Sequence, residues 1–199
     1  MALGLTGGIA TGKSTAASIL ERFGAHVIEA DEISRKILEK DGKAYEEVVA
    51  AFGGEILTEE GRINRDKLGE IIFNDSRQRQ KLEKITHPYI IKNLKKRLAA
   101  RNYSRDTVAV VPLLYEAQLQ HLFEEVWVIS CSEEEQISRL KNRDRLDSSQ
   151  ACSRLSAQMN LKDKEAKADQ VIKNEGSLKE LEDKLKKAWE NWMDKNKFD

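Results

Sequence analysis

The sequence predicts an α/β fold, a parallel sheet sandwiched between helices in three layers, and three observations carry that prediction. Short apolar runs alternate with longer helix-like stretches along most of the 199 residues. Two of the runs, VAVVP and VWVIS, are apolar at nearly every position, as strands covered on both faces must be. A glycine-rich turn joins the first run to the first helical stretch.

The strand-like runs fall at residues 2–6, 26–30, 107–112, 125–131 and 170–173, each followed by a helical pattern, the first at 14–23. One region breaks the alternation. Between residues 32 and 102 only helical patterns occur, at 44–52, 67–73 and 88–99, which predicts a helical insertion between the second and third strands, large enough to hold a substrate. A second departure, 133–168, reads as two charged helices joined near 146–149 with little apolar surface, a segment suited to covering a site. The sheet-bearing core is then 1–31, 103–132 and 169–199. Its last helix places Leu178, Leu181, Leu185, Trp189 and Trp192 on one stripe, too short for a coiled coil and suited to packing on the core.

Composition narrows the function. Lysine and arginine total 34 and aspartate and glutamate 34, so no net field gathers nucleic acid or an anionic membrane, and a polyanionic ligand must be held by a local cluster. Cys131 and Cys152 lack disulfide or zinc spacing and read as two thiols. The first twenty residues are apolar but carry no basic stretch, and Gly7-Gly8 and Lys13 interrupt them, so they do not read as a signal peptide. With no apolar run of about 18 residues, the expectation is a soluble, cytoplasmic protein.

The strongest local signal is Gly7-Gly8-Ile9-Ala10-Thr11-Gly12-Lys13-Ser14, a complete G-x-x-x-x-G-K-[ST] phosphate loop set between a strand and a helix. Its glycines let successive N–H groups point at phosphate oxygens, and the helix N-terminus adds positive partial charge. Gly8, Ala10, Thr11, Gly12, Lys13, Ser14 and Thr15 are therefore the expected nucleotide contacts. Lys13 reaches the β- and γ-phosphates, Ser14 is the Mg²⁺ ligand, and Thr15 adds a contact to the α-phosphate.

The loop alone does not separate kinase, GTPase and ATPase. Lys141-Asn142-Arg143-Asp144 has the wrong order for a guanine-reading motif. Asp31, at the end of Val27-Ile28-Glu29-Ala30-Asp31, lies only eighteen residues past Lys13, too close for a motor ATPase. It is expected to cap the second strand directly beside the phosphate loop, where an acceptor hydroxyl would sit. Two readings of Asp31 stand at this point: a catalytic base, or the N-cap of a helix over 32–38. Gln136, Arg139 and Arg143 share one helix face, and Arg154 and Gln158 repeat the spacing. They read either as a clamp on the transferring phosphoryl group or as a solvated charged face.

Beyond the phosphate loop, the sequence carries Glu29-Ala30-Asp31, His87-Pro88, Val111-Pro112-Leu113-Leu114-Tyr115-Glu116, then Gln136, Arg139, Arg143, Arg154 and Gln158, and finally Ala168-Asp169 with Ile172 and Asn174-Glu175-Gly176. In this order and spacing, from residue 3 to about 177, the chain resembles the dephospho-coenzyme A kinase family. The resemblance implies ATP-dependent phosphorylation of the ribose 3′-hydroxyl of dephospho-coenzyme A, with Mg²⁺. It also implies Asp31 as base, Lys13, Arg139 and Arg143 as catalytic groups, and His87, Leu113, Leu114 and Glu116 beside the acceptor together with Asp31. It implies that 32–102 binds the coenzyme A precursor and that 133–168 is a lid. Glu29 stands where the family has Asp, Tyr115 where it has Phe, and Ala10-Thr11 where it has Gly-Ser; none removes a group that transfer needs.

Overall fold

The computed structural model describes residues 2–102, 104 and 106–195, without the side chains of residues 73 and 74. The expected core limits at residues 1, 103 and 199 lie outside the described residues. The chain forms two compact units, one comprising Met1–Glu29 and Leu98–Asp199, the other Ala30–Arg97.

The first unit is built on a parallel five-stranded sheet: β1 (Ala2–Gly7), β2 (His26–Glu29), β3 (Thr107–Val110), β4 (Phe123–Ser130) and β5 (Gln170–Lys173). Their spatial order is β2-β3-β1-β4-β5. Every residue of β1 is buried, because β1 is central and pairs with β3 through Leu5 and Val110 and with β4 through Leu5 and Trp127. Gly4 has to be small: a Cβ there would come 2.9 Å from the Phe123 ring.

Helices α1 (Lys13–Arg22) and α9 (Leu178–Asp194) pack together. Ala16, Ile19, Leu20, Leu185, Trp189 and Trp192 join Leu3, Leu5 and Trp127 in one buried cluster. Ser177 and Glu180 start α9 with a reciprocal capping box. Leu178 departs from the predicted stripe: it is 60% exposed, since it precedes the turn at which α9 meets the core.

In the second unit, α2 (Ala30–Ile37), α3 (Tyr45–Phe52), α4 (Arg65–Asn74) and most of α5 (Ser76–Ala100) bury Ile33, Val48, Ile56, Leu68 and Leu94. Asn64 caps α4 by accepting from the amides of Asp66 and Lys67, both at 3.1 Å. Among the described residues of this unit the only strand-like feature is an isolated antiparallel bridge between Leu57 and Ile63.

Four expectations need correction. Helix α5 begins at Ser76 and not at Pro88. The fixed φ of proline is helical; its ring removes one N–H bond and crowds the carbonyl four residues earlier, which is tolerated here on an exposed face of the helix. No helix follows β3; residues 111–122 are turns ending in a short 3₁₀ segment, Gln120–Leu122. The stretch 133–168 holds three helices, α6 (Glu133–Asp144), α7 (Ser148–Ser156) and α8 (Leu161–Glu165), of which the five-residue α8 is too short to show a period. Helix α2 starts at Ala30, so Asp31 lies in its first turn and is not an N-cap.

Trp192, 1% exposed at the end of the α1–α9 cluster, tests this core. Trp192→Ala is expected to lower the unfolding free energy by about 3–5 kcal/mol, read as a shift in the denaturant midpoint. A loss within about 0.5 kcal/mol would mean that α9 is not part of the core.

Candidate active site

The phosphate loop leaves β1 at Gly7 and enters α1 at Lys13. Ala10 and Gly12 hold left-handed backbone, φ 60° and 96°, which curls the chain through the turn. Every carbonyl from Gly7 to Gly12 accepts a hydrogen bond. The Lys13 ammonium lies 3.3 Å from Gly7 O and 2.6 Å from Gly8 O. The buried Thr11 hydroxyl also donates to Gly8 O, at 2.9 Å. Gln136 Nε2 donates to Ile9 O at 2.6 Å, Arg139 Nη1 to Ala10 O at 3.5 Å, and Asn174 Nδ2 to Thr11 O at 2.8 Å. Gly12 O takes the amide of Ala16 at 2.9 Å.

The amide side of the loop is different. The first N–H groups of α1, on Lys13, Ser14 and Thr15, have no carbonyl within the helix to bond, and Gly12 offers no side-chain cap. Ser14 and Thr15 are exposed there. The result is an anion site with its carbonyls turned away and its donors presented.

Gln136 and Arg139 share a face of α6, as expected, but that face rests on the loop. Gln136 is 4% exposed. Arg139 Nη2 also donates to Asn174 O at 3.0 Å, and its Nε to Glu135 at 2.8 Å. Arg143 and Arg154 form a separate group. Arg143 grips Asp144 with Nε and Nη2, at 2.7 and 3.0 Å, and Arg154 approaches the same carboxylate at 2.5 Å. Hydrogen bonding from Arg143 holds the Asp144 carboxyl below its usual range, against partial burial.

The turns after β3 carry Leu113, Leu114 and Glu116. Leu114 is fully buried, while Leu113 and Glu116 are half-buried. Burial, and next the charge of Asp169, push the Tyr115 phenol up to about 12. Its hydroxyl is buried with no hydrogen-bond partner among the described residues. A cavity of about 500 Å³ opens beside the loop, lined by Gly8, Ile9, Gln136, Gln158, Glu165 and Lys173 among others. Cys131 also lines it, with its thiol pushed up by burial. The Ser130 hydroxyl hydrogen-bonds Glu165, and Lys173 reaches the same carboxylate at 2.8 Å.

Asp31 is exposed on α2 and His87 is half-buried in the middle of α5, both within the Ala30–Arg97 unit. The sheet corrects one expectation about Asp31. Because β3 intervenes between β1 and β2, the strand leading to Asp31 is two strand spacings, about 10 Å, from the strand leading to the phosphate loop. In the sequence Gln136 was grouped with the phosphate-facing arginines, and Asn174 was named only within Asn174-Glu175-Gly176, without a role at the loop. The signal for Asn174 was its place just after the last strand, at the same end of the parallel sheet as the phosphate loop.

A parallel sheet with a complete phosphate loop at the end of its central strand defines the class: a P-loop nucleoside-triphosphate-binding protein. The dephospho-CoA kinase family model matches residues 1–180, and the chain belongs to that family. It is 46% identical over 189 residues to the dephospho-CoA kinase of Geobacter sulfurreducens, covering 94% of this chain and 96% of the relative. It is 40% identical to that of Carboxydothermus hydrogenoformans, covering 97% of each. Among solved structures, the dephospho-CoA kinase of Campylobacter jejuni superposes with a TM-score of 0.71 at 32% identity, covering 98% of each chain.

Two variants test the site. Asn174→Ala frees the outer carbonyl of Thr11 and is expected to raise KM for ATP about tenfold and to lower the unfolding free energy by about 1–3 kcal/mol; an unchanged KM would mean that the loop keeps its shape without this bond. Tyr115→Phe removes a buried hydroxyl that lacks a partner. It is expected to raise the unfolding free energy by about 1 kcal/mol with activity retained, whereas a loss of stability would reveal a bond to that hydroxyl.

Proposed function

We propose that the chain transfers the γ-phosphoryl group of ATP to the ribose 3′-hydroxyl of dephospho-coenzyme A, giving coenzyme A and ADP in the last step of coenzyme A formation, in the cytoplasm. The observation that carries the phosphate chemistry is the loop itself, whose carbonyls from Gly7 to Gly12 all have donors while the amides at the start of α1 are presented. Membership of the family supports the acceptor.

In this reading Gly8, Ala10, Thr11, Gly12 and Thr15 hold the triphosphate, and Lys13 moves from the Gly7 and Gly8 carbonyls onto the β- and γ-phosphates. Leu113, Leu114, Glu116 and His87 hold the acceptor nucleoside. Asp31 accepts the proton of the 3′-hydroxyl as its oxygen bonds to the γ-phosphorus and the bond to the ADP oxygen breaks. Arg143 neutralises the charge that develops on the transferring group, and Arg139 contributes by holding the loop. The insertion 32–102 binds the coenzyme A precursor, and 133–168 covers the site.

The residues present fit a magnesium ion carried by the nucleotide. No cluster of three or more His, Cys, Asp or Glu side chains occurs among the described residues, while the Ser14 hydroxyl is exposed at the start of α1. That suits an ion bound mainly by phosphate oxygens and water, with Ser14 as its protein ligand. Bound there, it supplies neutralisation of phosphate charge. No helix among the described residues is long and apolar enough to cross a membrane.

Purified protein with ATP, Mg²⁺ and dephospho-coenzyme A should release ADP in step with coenzyme A. Transfer to a nucleoside monophosphate and none to dephospho-coenzyme A would overturn the reading. Asp31→Asn is expected to lower kcat about 10²–10⁴-fold, with KM for ATP within about twofold of the parent. Near-normal turnover would remove Asp31 from the mechanism.

A further inference from the structure

Lys164, on α8, is a lysine with none of its side chain exposed to water. Its ammonium lies 2.8 Å from Glu116 Oε1 and donates to the carbonyl of Pro112 at 2.9 Å. The same Glu116 oxygen accepts from the amide of Met159 at 3.0 Å. The other oxygen, Oε2, is buried with no partner among the described residues, and so is the amide oxygen of the adjacent Gln158. Gln158 and Met159 line the cavity beside the phosphate loop.

As a way of holding a fold, such a pair is inefficient. Apolar side chains of the same volume fill the space without taking two charges out of water. What the pair provides and an apolar one cannot is a carboxylate fixed in place, with one oxygen committed and the other buried and without a partner among the described residues. The committed oxygen is bound from two sides, by a side chain of α8 and by the backbone just before it.

We propose that Lys164 is a positioning residue for acceptor binding: it fixes Glu116 and the 158–159 backbone so that Glu116 Oε2 accepts a hydrogen bond from an N–H or O–H of the acceptor nucleoside. This rests on the reading of Glu116 as an acceptor-site residue. The charged and titratable groups near Glu116 include Lys164 from α8 and the Tyr115 phenol beside it in the chain, with Lys167 5.9 Å from the Tyr115 ring and Asp169 acting on that phenol. Lys164 holds the Glu116 carboxylate by direct contact.

Steady-state kinetics of Lys164→Met, Glu116→Gln and the double variant test this. Lys164→Met is expected to raise KM for dephospho-coenzyme A about tenfold with KM for ATP within about twofold. In the Glu116→Gln background, Lys164→Met should not raise the acceptor KM further. An acceptor KM unchanged by Lys164→Met, or an equal rise in both KM values, overturns the proposal. Should Lys164→Met not fold, the double variant, which holds no unpaired buried charge, is compared with Glu116→Gln. Equal acceptor KM values support the coupling, and a further tenfold rise, about 1.4 kcal/mol, overturns it. If Glu116→Gln alone leaves the acceptor KM unchanged, the acceptor-site reading of Glu116 falls, and this proposal with it.

Discussion

The structure depends on turning the carbonyls of one loop outward. A backbone that presents its amides to phosphate must find donors for the opposite side of each peptide, because an unpaired buried carbonyl costs about as much as a lost hydrogen bond. Here the donors come from Lys13 and Thr11 within the loop and from Gln136, Arg139 and Asn174 outside it. Those outside residues sit just past β4 and β5, on one side of the central strand. The start of α6 and the end of β5 are therefore fixed by the needs of the loop. Glycine serves the same end: a Cβ on Gly8 would lie 2.4 Å from Gln136 Nε2, and one on Gly12 2.3 Å from Asn174 Nδ2.

Helix α8 shows the same logic on the other wall of the cavity. Five residues form no stable helix alone, so the segment must be held by what it touches. Adjacent residues do this in different directions. Lys164 reaches Pro112 and Glu116 in the turns after β3, while Glu165 meets Ser130 of β4 and Lys173 of β5. Bonds from Lys173 and Ser130 keep the Glu165 carboxyl below its usual range although burial pushes it up. The wall is thus polar where it meets the sheet, and its ion pairs specify a position that apolar contacts could satisfy in several ways.

Much of this was legible in the sequence. Strands buried on both faces announce themselves by continuous apolar runs, and a phosphate loop announces itself because few residue types tolerate its backbone. Strand order was not legible, since any placement of β3 satisfies the same apolar pattern; hence β2 was expected directly beside β1. Pro88 misled because a proline that removes one exposed hydrogen bond looks in sequence like one that ends a helix. Lys164 was invisible for a different reason. In a stretch reading Leu161-Lys162-Asp163-Lys164-Glu165, nothing distinguishes the one buried lysine from its solvated neighbours, and only the carboxylate at Glu116, distant in sequence, decides it.

The arginines show how far spacing can carry a role. Helical periodicity puts Arg139 and Arg143 on one face, yet they differ in what each must surrender to meet a phosphate. Arg139 bonds the Ala10 and Asn174 carbonyls and Glu135, so moving it undoes the loop that it would serve. Arg143 is held by Asp144 in a pair whose arginine side chain is 59% exposed, and such pairs contribute about 0–1 kcal/mol. A triphosphate carries more charge than one carboxylate and offers an arginine two-oxygen geometry at several points. Of the two, Arg143 can therefore be recruited at little cost, and Asp144, shared with Arg154, keeps both guanidiniums near the end of α6 until then.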